Sequence, residues 1–378
     1  MIIIPGPAFL PVVGNYTYYR KRLKALGYHH LVWRELSEVY GHIVGLKLGR
    51  NLVVTVFGAE AVREVLSRED FDGRPDGFFF RLRTFGKRLG IVFSDGQFWK
   101  KQRKFSLQHL RNFGFGKREM EEKIQEETRS LIAILKNRCS EPIFMHSAFD
   151  ISVLNGLWAM MAGQRFETDD ERLRKLLNII HDAFRLVDMS GGLINQMPFL
   201  RHIAPNACGY NQIMDILNRM WTFLEVENKS LLKYTEAVLM EIQRRTNIAP
   251  LGIAHRAIRD TELFGYNVPE GTMILTSLYS VHMDETFWKD PIAFRPERFL
   301  NHFGDIYVNE KYFIPFGQGK RRCLGESLGK ANIFLFFTTI LHIFNLEKAD
   351  DSYPQLEGFD GVTIAPKPFK AKLIPRTD

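Results

Sequence analysis

The chain has 378 residues, 45% hydrophobic and 13% aromatic with 31 phenylalanines, enough to bury a large apolar core and an apolar ligand. Its net charge of +8 suits an anionic membrane surface or an acidic protein partner, while no Lys/Arg run or nucleic-acid motif accompanies that charge. Three scattered cysteines, Cys139, Cys208 and Cys323, argue against a disulfide scaffold and for a reducing compartment.

The apolar start, Met1 to Ile4, falls far short of the roughly 20 residues a membrane helix needs. Pro5, Pro7 and Pro11 predict a rigid extended lead-in over residues 5–14. Leu31, Trp33, Leu36 and Tyr40 carry helical spacing over 30–40, closed by Gly41. The runs 43–49 and 52–56 read as a β-hairpin turning at Gly49-Arg50-Asn51, and 59–66 as a short helix. Arg74-Pro75-Asp76-Gly77 breaks the pattern and opens a loop holding Phe78, Phe79, Phe80 and Phe85. After Asp95-Gly96 a helix places Trp99 and Arg103 on one face, with Lys100, Lys101 and Lys104 pointing outward; alone, this is an amphipathic surface helix. Helices follow over 117–138, 148–163, 169–187 and 209–225, with a break at Ser190-Gly191-Gly192 and a loop over 200–205. Residues 234–245 form a helix with Glu241 and Arg244 three apart, a spacing that usually gives a solvated ion pair. Residues 260–269 and 271–278 fit two strands joined at Pro269-Glu270-Gly271.

The chemistry concentrates in Phe316-Gly317-Gln318-Gly319-Lys320-Arg321-Arg322-Cys323-Leu324-Gly325. Three cations and the N-terminus of the apolar helix that follows favour a Cys323 thiolate. That loop reads either as a thiolate ligand to a metal, as a basic turn with a buried cysteine, or as a phosphate site. Structural zinc is disfavoured, because no second cysteine lies nearby.

The full spacing, Phe316, Gly319, Arg321, Cys323 and Gly325, resembles the haem-binding loop of the cytochrome P450 family, in which the cysteine is the axial iron ligand. Supporting segments resemble the family too: Trp99-x-x-x-Arg103, Glu241-x-x-Arg244 with Pro296-Glu297-Arg298-Phe299, Leu251-Gly252-Ile253-Ala254-His255, and residues 359–366. The phenylalanine-rich loop and Leu251–His255 are similar to insect members related to methyl farnesoate epoxidase. The resemblance implies one mainly helical domain over 1–378 with a small β-rich lobe. Residues 1–14 would be the proline-rich hinge that follows the anchor of microsomal members at the cytoplasmic face of the endoplasmic reticulum membrane. It implies haem (iron protoporphyrin IX) on Cys323, with propionates held by Trp99, Arg103, His255 and Arg321. Glu241, Arg244 and Arg298 would form a structural triad. Phe78, Phe79, Phe80, Leu251, Ile253, Val362 and Ile364 would line the pocket of a small apolar substrate such as a terpenoid, steroid or xenobiotic, hydroxylated or epoxidised with O2. Electrons would come from an NADPH-dependent flavin reductase on a basic face of Lys100, Lys101, Lys104, Lys320 and Arg322.

The chain departs from the family at its centre. The long oxygen-activating helix, with its acidic-Thr pair, is missing, and residues 225–232 read as the junction of an internal deletion. No catalytic residue is therefore identified. The alternative expectation is a chain that binds haem but is catalytically incompetent.

Overall fold

A computed structural model of the chain describes residues 4–49, 51–82, 86–112, 118–137, 142–145, 148–155, 194–195, 197–220, 233–302, 305–349 and 357–376, with short pieces at 177–178, 181–182 and 355. Cys139, the helix expected over 169–187 (but for the short pieces 177–178 and 181–182), most of that over 148–163, the Ser190-Gly191-Gly192 break and the 225–232 junction lie outside the described residues.

Helix α1 (Tyr16–Leu26) ends at Gly27, whose φ of 78° lets its N–H cap the Leu23 carbonyl. Helix α2 (His29–Tyr40) buries His30, Val32, Trp33 and Leu36 on one side and ends at Gly41 as expected. Strands β1 (Ile43–Leu48) and β2 (Asn51–Val56) form the antiparallel hairpin. Helix α3 (Ala59–Ser67) then leads to a 3-10 turn at Glu69–Phe71. Short helix α4 (Phe78–Leu82) precedes two long ones, α5 (Gly96–Asn112) and α6 (Arg118–Asn137). After β3 (Ile143–Phe144) come α7 (Leu200–Ile203), α8 (Tyr210–Met220) and α9 (Lys233–Thr246).

The β-rich part follows: β4 (His255–Arg256), β5 (Thr261–Leu263), β6 (Tyr266–Val268) and β7 (Met273–Thr276). Strand β7 pairs parallel with β2 and antiparallel with β4, giving the order β1-β2-β7-β4. Both faces of this sheet are covered, which explains its unbroken apolar runs. Val53, Met273 and Leu275 face Trp33 and Leu36, whereas Val54, Val56 and Ile274 face Val62, Val65 and Leu66 of α3. Helices α10 (Leu278–His282) and α11 (Glu285–Trp288) and a 3-10 turn at Pro296–Phe299 lead to the cysteine loop and to α12 (Glu326–Ile343). Strands β8 (Phe344–Lys348), β9 (Gly358–Phe359), β10 (Ala365–Pro366) and β11 (Lys370–Pro375) end the chain. Strand β11 joins β8 to β3, and Ile143, Phe344 and Leu373 pack with Ile124 and Leu131 of α6 and Phe336 and Ile340 of α12.

Four expectations are corrected, and one stretch without an expectation proves helical. The lead-in is not extended throughout: it turns at Pro11–Val13, and Leu10 and Gly14 bond each other. Residues 16–26, about which the sequence raises no expectation, are helical. Phe78–Phe80 are helical rather than looped, because Phe79 and Phe80 are drawn into the core. Residues 200–203 form a helical turn instead of a loop. Residues 260–269 hold a hairpin of their own, since Phe264 (φ 50°) and Gly265 (φ 80°) supply the two left-handed residues of a tight turn. Pro269-Glu270-Gly271 therefore joins two sheets, not two paired strands.

The triad is assembled. Arg244 donates to Glu241 through Nε–Oε2 (2.7 Å) and Nη2–Oε1 (2.8 Å), both side chains having zero exposure. Arg298 Nε lies 3.4 Å from Glu241 Oε1, and the Arg295 N–H donates to the same oxygen at 3.0 Å. Arg244 also donates to the carbonyls of His282 and Pro291, each at 2.8 Å. His282 Nδ1–H donates to Asn247 Oδ1 (2.9 Å), and its Nε2 accepts from the Ile314 N–H (3.1 Å). The ion-pair network is thus bonded to the extended segment that runs into the cysteine loop.

Removing Glu241 leaves a buried guanidinium without its carboxylate. Glu241→Ala should lose about 3–5 kcal/mol of stability in guanidinium chloride denaturation; an unchanged midpoint would contradict the buried network.

Candidate functional site

The loop 316–325 needs glycine where the structure places it. Gly317 and Gly319 have φ of 71° and 68°. A Cβ on Gly319 would stand 2.0 Å from the Leu66 carbonyl oxygen, so the loop is pressed against the end of α3. The Cys323 N–H donates to the Phe316 carbonyl (2.9 Å), closing the loop just before α12.

Arg321 reaches back across the sequence. Its Nε donates to the Asp72 carbonyl (2.9 Å) and its Nη1 to the Ser94 carbonyl (3.2 Å), and its guanidinium lies 3.8 Å over the Trp99 ring. Arg103, one turn along α5, donates to the Arg322 carbonyl (3.1 Å) and sits 5.6 Å from the same ring. The sequence-predicted residues Trp99, Arg103, Arg321 and Cys323 are therefore brought together. His255 stands on β4, buried, with Nδ1–H donating to the Phe71 carbonyl at 2.8 Å. Burial and the neighbouring Arg74 charge push its pKa down to about 3, despite that hydrogen bond, so the imidazole is neutral and its Nε2 is free only to accept.

Four residues the sequence did not single out complete the cluster. Asp95 accepts from Arg88 (Nη1–Oδ1 2.9 Å, Nη2–Oδ2 2.8 Å), from Arg256 Nη2 (2.9 Å) and from the Arg74 N–H (3.1 Å). Burial raises its pKa, but these donors outweigh burial and hold it below the usual carboxylate range. Arg74 is buried, and its pKa is pushed down to about 9 by burial and by Arg321. The only trace of these roles in the sequence was turn chemistry, Arg74-Pro75 and Asp95-Gly96.

Among the described residues, the guanidinium groups of Arg74, Arg103 and Arg321 donate to backbone carbonyls and to no carboxylate. No group of three His, Cys, Asp or Glu side chains there offers a metal site. A lone thiol beside unpaired cations suits a metal held by one thiolate within an anionic ligand, and haem with two propionates meets both conditions.

Two expectations change. Cys323 is exposed by area, yet protein atoms crowd its thiol, and its pKa is raised rather than lowered. Burial dominates and Glu326 adds to it, against the Gly325 N–H and Arg103. The three neighbouring cations point elsewhere: Arg321 at backbone carbonyls, Lys320 at Glu69 and Asp72, and Arg322 at Glu326 (Nη2–Oε1 2.7 Å). Those last two pairings also remove Lys320 and Arg322 from a free basic face, leaving exposed Lys100, Lys101 and Lys104.

Of the proposed pocket residues, Phe79, Phe80 and Leu251 share one core cluster, with Phe78 and Val362 packed against it. A small, partly open cavity lies between Trp33, Leu251, Leu275 and Val362. Ile253 is exposed, and the Ile364 backbone N–H donates to the Ile248 carbonyl (2.8 Å).

Buried, neutral histidines make the apo-protein acid-sensitive. His255 and His282 have pKa values near 3, the latter lowered by burial and Arg244, against an ordinary 6.5. Unfolding exposes both to protonation. Their contribution is complete above pH 6.5 and falls by about 1.4 kcal/mol per pH unit for each as pH drops toward 3. Denaturation midpoints between pH 7 and 4 should fall steeply, and less so in the His255→Gln/His282→Gln variant; identical slopes would contradict the assignment.

The chain matches the family profile described as Cytochrome P450 over residues 4–223 and 210–373. It is 34% identical over 463 aligned residues to the farnesoate epoxidase of Bombyx mori, covering 98% of this chain and 94% of that protein. It is 33% identical over 475 residues to the probable cytochrome P450 305a1 of Drosophila melanogaster, covering 99% and 94%. With cytochrome P450 2J1 of Oryctolagus cuniculus the figures are 28% over 466 residues, covering 98% and 91%. Each alignment is longer than the 378 residues of this chain, so these relatives carry internal residues that have no counterpart here. The chain belongs to the cytochrome P450 family of haem-dependent monooxygenases.

Proposed function

We propose that this chain is a haem-thiolate monooxygenase of a small apolar substrate, such as a terpenoid, with Cys323 as the iron ligand. The observation that carries this reading is the convergence of Arg321, Arg103 and Trp99 on the cysteine loop. Bound haem supplies the redox-active iron; the protein holds and orients it. Arg321 and Arg103 would face the propionates, with Trp99 beneath them. His255 would contribute only as an imidazolium, because its single neutral proton already goes to the Phe71 carbonyl. Coordination to iron would deprotonate Cys323 in spite of the raised thiol pKa. Phe78, Phe79, Phe80, Leu251 and Val362 form the apolar wall against which a substrate would pack, with Ile253 and Ile364 toward its rim.

Similarity to the farnesoate epoxidase supports an apolar, terpenoid-like substrate. Lys100, Lys101 and Lys104 supply the basic patch for an acidic flavin reductase. Among the described residues no helix is long and apolar enough to cross a membrane; placement at the endoplasmic reticulum surface rests on the family, with residues 1–14 as hinge of a single domain.

A second reading, a haem-binding chain that does not turn over, is favoured by the missing internal residues. The family profile matches in two stretches that meet near residues 210–223, close to the 225–232 junction inferred from the sequence. The oxygen-activating helix is the part unaccounted for.

Turnover per bound haem separates the two readings. With NADPH, a flavin reductase and a terpenoid panel, oxygenated product at a rate that falls with added salt supports the monooxygenase. Loaded haem with no product supports the second reading.

A further inference from the structure

The turn that carries Val362 is held in place from outside the apolar wall. Strands β9 and β10, which bracket it, share only two residue pairs, Ala365 with Phe359 and Pro366 with Gly358. Proline brings no N–H to the second pair, and a two-stranded hairpin is marginal by itself. Every residue from 357 to 366 is half-buried or exposed. Asp360, Gly361 and Val362 line the partly open cavity together with His29, His30 and Trp33 of α2, so close packing alone does not fix the turn against that helix.

Polar contacts to the start of α2 do so. The hydroxyl of Tyr28, the residue before α2, donates to the Gly358 carbonyl (2.8 Å) and accepts from the Gly358 N–H (3.1 Å). One residue on, the His29 N–H donates to Asp360 Oδ2 (2.9 Å), using one of the N–H groups that a helix start leaves without an intrahelical partner. The His29 ring is itself supported: its Nδ1 lies 2.8 Å from the Tyr19 hydroxyl of α1, and the two rings stack 5.8 Å apart at 19°. Further along α2, Val32, Trp33 and Leu36 are buried in the core. The start of α2 is therefore a firm support, and the turn is the weakly held part attached to it. Val362, which packs against the core cluster, stands between these anchors and the bond from the Ile364 N–H to the Ile248 carbonyl.

We propose that Tyr28 and Asp360 are positioning residues for the substrate wall: they set where Val362 stands against the apolar core and so tune affinity for a bulky apolar substrate. This rests on the monooxygenase reading above.

The test joins amide hydrogen exchange of the full chain to Soret titration of its haem-loaded form. The titration compares farnesol, which needs the wall, with imidazole, which ligates iron and needs no wall contact. Tyr28→Phe keeps the ring and removes both bonds to Gly358. Exchange at residues 358–364 should quicken by about 10-fold, the scale of two ordinary hydrogen bonds. Farnesol affinity should fall about 5-fold, the scale of a partly lost apolar contact, with imidazole affinity unchanged. Asp360→Ala should act in the same direction, while Asp360→Asn, which keeps an acceptor for the His29 N–H, should stay near the wild type. Tyr28→Phe decides the matter if Asp360→Ala does not fold. Equal weakening toward both ligands would show a scaffold role only, and it would overturn the proposal, as would unchanged exchange at 358–364. A wild type whose Soret band responds to neither ligand overturns the haem-site reading and the proposal with it, a failure visible before any variant is made.

Discussion

Arg321 holds the cysteine loop to the rest of the molecule. Its guanidinium bridges the Asp72 and Ser94 carbonyls while covering Trp99, so one side chain joins the loop to the segment after α3 and to the start of α5. The partners are fixed backbone atoms, not a mobile carboxylate, and this makes the arrangement geometric as much as electrostatic. Arg74 repeats the device one layer deeper with the carbonyls of Val92, Ile253 and Ala254. Carbonyl-bonded arginines stay cationic without being neutralised. The site consequently keeps a positive charge that an ion-paired cluster would have cancelled.

Behind the loop, the Glu241–Arg244–Arg298 network follows the opposite rule. There a fully buried carboxylate takes a bidentate fork and a second guanidinium, and charge is compensated locally. Its reach to the loop runs through His282, which accepts from the Ile314 N–H. The two clusters divide the work: the compensated one fixes the scaffold, and the arginine-rich one, only partly offset by Asp72 and Asp95, presents charge.

Much of this was legible in the residues because the chemistry demands particular types at fixed spacing. Gly317 and Gly319 need left-handed backbone, and Glu241 and Arg244 need helical spacing; both were readable from the sequence. What was not legible depends on contacts distant in sequence. Nothing local in Lys320-Arg321 reveals that these cations point at Asp72, Ser94 and Glu69 instead of at the thiol. For that reason the expected low thiol pKa gave way to a raised one. Phe78–Phe80 read as loop because Arg74-Pro75-Asp76-Gly77 punctuates strongly, while the core that draws them into a helix lies on α2, β2 and β7. The hairpin at Phe264-Gly265 was hidden because phenylalanine seldom takes positive φ.

The central claim is that the ligand side of the iron is complete in this chain. The carbon monoxide difference spectrum of the reduced, haem-loaded protein tests it most directly, because the Soret position of that complex reports a thiolate opposite the carbon monoxide. The thiolate-type band should be present in the wild type and absent in Cys323→Ser. A wild type that shows only the band of a neutral axial ligand, or a Cys323→Ser spectrum identical to it, would contradict the account.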